Sequence, residues 1–292
     1  MENHTTFVHL TDLHVGNPAV ADDHLYSDTG ATLATILADV KRLEPKPAFI
    51  IASGDLTNRG DTASYTELKR IFAEAELEIP VLYALGNHDT RPGFYETILG
   101  RTEDMLVPYD HDEVIAGIHI ITIDTSVPGK VGGAFEPGQV EWLKSRLDAH
   151  PELPKLISMH HAPALDEDNL AMEWESLSCA DTPVFRDLLE GHSVLGILSG
   201  HMHYDRVSNW YGIPVVVGIG QHSGMDVTYL HEGLRMVEAA SFAIGTVRPS
   251  GLTMAFVPQA TSRRELHKIK FSEMAEMMRK FEASAPTAVA AE

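Results

Sequence analysis

Five short clusters of metal-ligand side chains recur along the chain, and each follows an apolar run of strand length. They are Asp12-Leu13-His14, Gly54-Asp55, Gly86-Asn87-His88-Asp89, His160-His161 and Gly200-His201-Met202-His203. Short apolar runs bounded by turn residues read as buried strands. In open α/β sheets, residues just past the strand ends converge on one crevice. The spacing therefore calls for a fold that gathers five distant strand ends. A single residue separates His201 from His203, so both rings can face the same side of an extended chain.

The segments between the clusters support this. Residues 5–10, 48–52, 80–85, 156–159, 194–199 and 214–219 are predicted strands. Leu33, Ile36, Leu37 and Val40 mark a helix over 30–43, which Pro45 and Pro47 end, and Tyr65, Leu68, Phe72 and Ala75 mark one near 62–77. Residues 114–123 fit a long strand or a hairpin. Pro137 opens a helix carrying Val140, Leu143 and Leu147, and Thr182-Pro183 reads as an N-cap and first-turn proline of a helix through Leu189. Late strands are expected over 241–258, and Phe271, Met274, Met278 and Phe281 have helical spacing. The first half alternates strand and helix and the second is richer in strands, which gives an α/β fold with sheets inside and helices outside. The loop 16–30 lies between a ligand cluster and a helix, placed to overhang the site.

Composition narrows the chemistry. The chain has 292 residues, 22 basic against 42 acidic side chains, and a formal charge of −20. That surface repels nucleic-acid backbones and anionic membranes. It does not exclude a small phosphate ester, because two divalent cations, two carboxylates and one hydroxide leave about one net positive charge locally. With Cys179 the only cysteine, a thiolate zinc cage and an intrachain disulfide are excluded. No apolar run approaches spanning length and no secretory signal is evident, so a cytoplasmic location is expected.

The ligand types are imidazole, carboxylate and one amide, which suit Mn, Fe, Co or Zn better than Ca or Mg. Two such ions about 3.5–4 Å apart can clamp the attacking and leaving oxygens of a phosphoryl transfer. Asp55 is the natural bridge between them, although a Gly-Asp pair is also a common turn. His160 and His161 are adjacent on an extended segment and point to opposite sides, so only one should bind. Asp89 could orient a neighbour or be a solvated loop carboxylate. His222 follows the strand 214–219 and could approach the site, but it matches no ligand cluster and is not counted among the site residues. Cys179 reads as a small buried hydrophobe, and no Gly-x-Ser-x-Gly elbow or Walker loop supports another scheme.

The order Asp-x-His, Gly-Asp, Gly-Asn-His-Asp, His-His, Gly-His-x-His resembles the calcineurin-like metallophosphoesterase superfamily. The segments His24-Leu25-Tyr26, Gly54-Asp55-Leu56-Thr57 and Asp124-Thr125-Ser126-Val127-Pro128-Gly129 are similar to its class III cyclic-nucleotide phosphodiesterase and glycerophosphodiesterase branch. The resemblance covers roughly residues 5–220. It implies a four-layer α-β-β-α sandwich with two mixed sheets and a dinuclear site at strand C-terminal ends. It places Asp12, His14, Asp55 and His203 around one metal, and Asp55, Asn87, His160 and His201 around the other. His88 becomes a catalytic non-ligand near the leaving group, acting as proton donor or charge stabiliser. His24, Tyr26, Arg91 and His161 are the expected substrate contacts, with packing roles or, for Arg91, a surface salt bridge as the alternatives. In His160-His161-Ala162-Pro163 the chain has one proline where many relatives have two, which affects the substrate rim and not the ligands.

The expected function is hydrolysis of small phosphodiesters, cyclic nucleotides foremost, by in-line attack of a metal-bound hydroxide. Glycerophosphodiesters, phosphonate esters or a broad range of esters are the alternatives, and a non-catalytic scaffold on the same fold is the alternative of another class. Two divalent or mixed-valence ions are the expected cofactors, Mn and Fe favoured, Zn or Co admissible. The partner is a small molecule, with no nucleic-acid polymer and no membrane; relatives of this branch also suggest a homodimer or higher homo-oligomer. Residues 1–265 would form the metallophosphoesterase domain and 266–292 a C-terminal helical tail.

Overall fold

A computed structural model of the chain describes residues 4–262 and 264–284. The elements run β1 (Thr5–Leu10), α1 (Thr29–Lys41), β2 (Ile50–Ser53), α2 (Thr62–Ala75), β3 (Val81–Ala84), α3 (Arg91–Thr97), β4 (His111–Ile115), β5 (Ile118–Ile123), α4 (Gln139–Asp148) and β6 (Lys155–Met159). A 3-10 turn at Leu170–Glu175 follows. Then come α5 (Asp181–Leu189), β7 (Val194–Ser199), β8 (Arg206–Trp210), β9 (Ile213–Val217), β10 (Gly224–Met225), β11 (Gly233–Val237), β12 (Ser241–Arg248), β13 (Gly251–Pro258), β14 (Glu265–Lys270) and α6 (Phe271–Ser284).

Two mixed sheets form the centre. One has the order β13-β12-β1-β2-β3, with β1, β2 and β3 parallel; the other has the order β4-β5-β6-β7-β9-β8, with β5, β6, β7 and β9 parallel. Alternation along the strands sends side chains to both faces. Phe7, Ile51 and Leu82 of the first sheet meet Ile120, Leu156, Leu198 and Val216 of the second. Val8, Leu10 and Ile50 face Leu33, Ile36 and Leu37 of α1 and Leu68 of α2 on the outside. Ile121, Ile157 and Val215 face Leu143 of α4 and Phe185 of α5. The three cores separate four layers, helix-sheet-sheet-helix, as the sequence implies.

The elements depart from the sequence reading at instructive places. Residues 111–123 are a hairpin, turned at Ala116 and Gly117, both with positive φ. α5 begins at Asp181, one residue before the expected cap. Its N-cap is Ala180, with no side-chain cap; Ser178 and Asp181 bond each other across it, the Asp181 N–H donating to Ser178 Oγ at 3.0 Å and that hydroxyl to Asp181 Oδ2 at 2.7 Å. Thr182 lies inside the helix and its hydroxyl accepts from the Ala164 N–H instead. A third sheet, β10-β11-β14, was not expected. The expected break after residue 265 falls inside β14, which pairs with β11, and the helix starts only at Phe271. Met274 of that helix is buried, whereas the side chains of Met278 and Phe281, and the tail past 284, lie outside the described residues.

Candidate metal centre

The ligand clusters occupy the turns that leave β1, β2, β3, β6 and β7, all at the C-terminal ends of parallel strands. Asp12, His14, Asp55, His201 and His203 all have φ between 43° and 74°. Left-handed backbone costs a non-glycine residue about 1–2 kcal/mol, so strain is concentrated where these side chains are aimed, a pattern typical of functional sites. The backbones also approach closely. A Cβ at Gly200 would lie 1.9 Å from Thr11 Oγ1 and 2.2 Å from Asp12 Oδ2, and one at Gly86 would lie 2.2 Å from Asp55 Oδ1.

Each of the four histidines expected as ligands spends one ring nitrogen on a carbonyl oxygen. His14 Nδ1 meets Asn58 Oδ1 at 2.9 Å, His160 Nδ1 meets the Ser53 carbonyl at 2.9 Å, and His203 Nδ1 meets the Ser223 carbonyl at 3.1 Å. His201 is turned the other way, with Nε2 on the Trp174 carbonyl at 2.8 Å. Carbonyls only accept, so these nitrogens carry the protons. The remaining nitrogens of three of these rings face carboxylates: His203 Nε2 lies 3.2 Å from Asp12 Oδ1, and His14 and His160 Nε2 lie 3.5 and 3.2 Å from Asp55 Oδ2. A buried imidazole nitrogen that faces a carboxylate oxygen calls for a cation between them, a proton in the metal-free chain and a metal ion where one is bound. His14 Nε2, His160 Nε2 and Asn87 Oδ1 are buried with no hydrogen-bond partner. Ligand atoms of Asp12, His14, Asp55 and His203 all lie within 4.8 Å of one another. The residues fit a divalent metal.

The electrostatics show the same demand for positive charge. Burial pushes the His160 pKa down, but the Asp55 charge prevails and holds it at about 9, so without a metal a proton takes the place between them. Asp12 likewise holds His203 up against burial. Burial, reinforced by neighbouring histidines, keeps His14 well below its ordinary value, and burial alone dominates in pushing His201 to about 4. Burial opposes ionisation of Asp12 and Asp55, yet the histidines around them keep both below the usual carboxylate range.

Other expected residues are placed as follows. The His88 N–H donates to Asp55 Oδ1 at 2.8 Å and its Nδ1 meets the Asn58 carbonyl at 3.0 Å, which leaves Nε2 of an exposed ring free beside the centre. His161 is fully buried, with Nδ1 on Thr125 Oγ1 at 2.9 Å and Nε2 on the Val131 carbonyl at 3.0 Å. Both nitrogens are taken, so His161 is corrected to a support behind His160. Arg91 is corrected too. Its guanidinium bonds Asp124 Oδ2, Glu136 Oε1 and the carbonyls of Leu106 and Ser126, each within 2.9 Å, in a buried ion pair rather than a surface one or a phosphate contact. The His24 ring is exposed and its carbonyl, not its ring, meets His222. Tyr26 stacks on His222 at 5.2 Å. Asp89 ties two ligand loops together, accepting from Leu56, Thr57 and Gly86 N–H groups and from the Tyr65 hydroxyl.

Sequence reasoning missed Asn58, whose amide joins His14 to Asp22 (2.7 Å), and gave His222 too little weight. His222 stacks on His14 at 4.5 Å, and its Nδ1 is buried without a partner. Its Nε2 lies 3.0 Å from the His24 carbonyl and 3.3 Å from the Tyr26 N–H, and can serve only one of them at a time.

Comparison with known proteins agrees with this geometry. Residues 5–205 match the family model described as calcineurin-like phosphoesterase. A probable cyclic nucleotide phosphodiesterase of Rhodococcus erythropolis is 35% identical over 72% of this chain and 68% of its own length. A cAMP/cGMP dual specificity phosphodiesterase of Mycobacterium tuberculosis is 30% identical over 78% of this chain and 71% of its own. A probable glycerophosphodiester phosphodiesterase of Arcobacter nitrofigilis is 27% identical over 68% and 75%. Among solved structures, a purple acid phosphatase from yellow lupin seeds superposes on 100% of this chain and 58% of its own with a TM-score of 0.64 at 13% identity, a likeness of fold.

Proposed function

The chain belongs to the calcineurin-like phosphoesterases, and on that premise we propose that it hydrolyses small phosphodiesters, cyclic nucleotides foremost, at a centre of two divalent cations sharing Asp55. The observation that carries the metal reading is the set of buried imidazole nitrogens gathered 3.2–3.5 Å from the Asp12 and Asp55 carboxylates. The relatives named as cyclic nucleotide phosphodiesterases support the substrate class. Asp12, His14, Asp55 and His203 would hold one ion, and Asp55, Asn87, His160 and His201 the other. The donor set favours Mn or Fe, with Zn or Co admissible. When bound, the cations would supply the charge that acidifies a water for attack and neutralises the phosphoryl oxygens.

The chain's own groups do the rest. The four carbonyl contacts fix the tautomers and orientations of the ligand histidines. His88 keeps its Nδ1 on the Asn58 carbonyl, so Nε2 is the atom offered to substrate; protonated there, it donates to the leaving oxygen. His222 stacks on His14 and keeps its Nδ1 buried without a partner. Among the described residues no helix is long and apolar enough to cross a membrane, and the −20 charge supports a small rather than polymeric substrate.

Hydrolysis of 3',5'-cyclic AMP, 2',3'-cyclic AMP, glycerophosphoethanolamine and bis-p-nitrophenyl phosphate in Mn-supplemented buffer tests this. We expect a cyclic nucleotide to have the highest kcat/KM. A preference for glycerophosphoethanolamine would transfer the assignment to glycerophosphodiesters, and full activity in both Asn87→Ala and His201→Ala would overturn the two-metal site.

A further inference from the structure

Four rings stand in a row leading out of the metal centre. His14 stacks on His222 with centroids 4.5 Å apart, His222 on Tyr26 at 5.2 Å, and Tyr26 on His267 at 6.1 Å, the last two pairs 10° from parallel. The row begins at a metal ligand and ends on β14, outside residues 5–205 that match the family model. Tyr26 is therefore stacked near-parallel with two rings, one from the site and one from β14.

The small sheet closes the circuit. β10 starts two residues after His222, and its Met225 N–H donates to the His203 carbonyl at 2.6 Å. β10 pairs with β11, and β11 pairs with β14 so that Met236 lies opposite His267. The loop carrying Tyr26 thus has two contacts with these elements: Ser27 Oγ donates to the His222 carbonyl at 2.9 Å, and His267 stacks on Tyr26. His222 itself has one nitrogen tied to that loop and the other buried and unpartnered. That hydrogen bond and the rings on either side set the plane in which the free nitrogen points.

We propose that His267 is a positioning residue for the site: by stacking on Tyr26 it holds the loop 22–28 closed against His222 and so sets the direction of His222 Nδ1. Its imidazole acts as a flat surface and not as an acid, base or ligand. An aromatic hydrocarbon ring therefore replaces it, whereas a methyl group does not. The catalytic consequence rests on the function proposed above; the structural one does not.

The test uses the full chain with His267→Ala, His267→Phe and Tyr26→Leu. In metal-free protein, hydrogen exchange of the 22–28 amides should be about three- to tenfold faster in His267→Ala, as expected for loss of one aromatic stack, and normal in His267→Phe. The His267→Ala/Tyr26→Leu double variant should exchange no faster than Tyr26→Leu alone, because both act through one contact. With Mn, KM for 3',5'-cyclic AMP should rise about three- to tenfold in His267→Ala, with kcat and bound metal within twofold of wild type and rescue by His267→Phe. Unchanged exchange in His267→Ala, additive effects in the double variant, or no rescue by His267→Phe would overturn the proposal. If His267→Ala does not fold, Tyr26→Leu and His267→Phe decide: the first must loosen the loop and the second must not. If wild type cleaves no diester, the functional assignment falls while the exchange measurement still judges the stack.

Discussion

Asn58 touches no expected metal position, yet its replacement by Ala should weaken one metal site selectively. Its Oδ1 accepts from His14 Nδ1 at 2.9 Å and its Nδ2 donates to Asp22 Oδ2 at 2.7 Å, so it fixes the ring that presents Nε2 inward. Its backbone carbonyl, which holds His88, survives the substitution. Without the side chain, the His14 N–H is left buried and unpaired, at a cost of about 1–3 kcal/mol. The ring can relieve that cost by changing tautomer, which turns a proton toward the metal. Losing such an outer partner typically lowers metal affinity about 10- to 100-fold, or about 1.4–2.7 kcal/mol at 1.36 kcal/mol per tenfold. The assay is activity against free Mn concentration, with bound Mn measured by mass spectrometry. The concentration for half-maximal activity should rise by that factor, with kcat at saturating metal within about threefold of wild type. A metal requirement unchanged within twofold would refute the claim that Asn58 sets the His14 tautomer.

Other consequences are equally direct. Arg91→Met strands the buried Asp124 carboxylate and should destabilise the fold by about 3–5 kcal/mol, while kcat/KM of the folded fraction stays within threefold; a large loss of kcat/KM at unchanged stability would restore Arg91 as a phosphate contact. Gly200→Ala forces a methyl into Thr11 and Asp12 and should abolish metal binding at the His203 site, read as bound metal per folded chain; full occupancy would contradict the close approach. His111, stacked on Tyr109 at 4.7 Å, is held at about 4 by burial against an ordinary 6.5. Its folded pKa is depressed, so the unfolded chain binds the proton first and stability is lost as pH falls from about 6.5 toward 4. Its share is about 2 kcal/mol between pH 7.5 and 5. His111→Phe should remove that much of the pH dependence of the urea midpoint, and an unchanged slope would show that His111 titrates normally in the fold.

The ligand clusters and parallel strands were legible because both rest on local pattern. An apolar run followed by Gly, Asp or His is visible within ten residues, and the strand ends it marks meet by the geometry of α/β sheets. What stayed hidden depends on partners far along the chain. Arg91 looked available for phosphate because Asp124 and Glu136 gave no sign in sequence that they would enclose it. His161 could not be separated from His160 by residue type; the structure distinguishes them by the two hydrogen bonds, to Thr125 and Val131, that occupy both His161 nitrogens. β10 is two residues long, and β14 mixes charged and apolar side chains without a clean alternation, so neither announced a sheet. His222 and Asn58 lack any motif: one is found by its stack on His14, the other by the nitrogen it holds.

The number of ions per chain, and which residues hold each, decides the central claim most directly. Chains loaded with Mn, desalted and weighed by native mass spectrometry should carry two ions in wild type, one in His203→Ala, one in His201→Ala and none firmly in Asp55→Ala. A single ion in wild type, or two ions retained without Asp55, would contradict a centre in which two metals share that carboxylate.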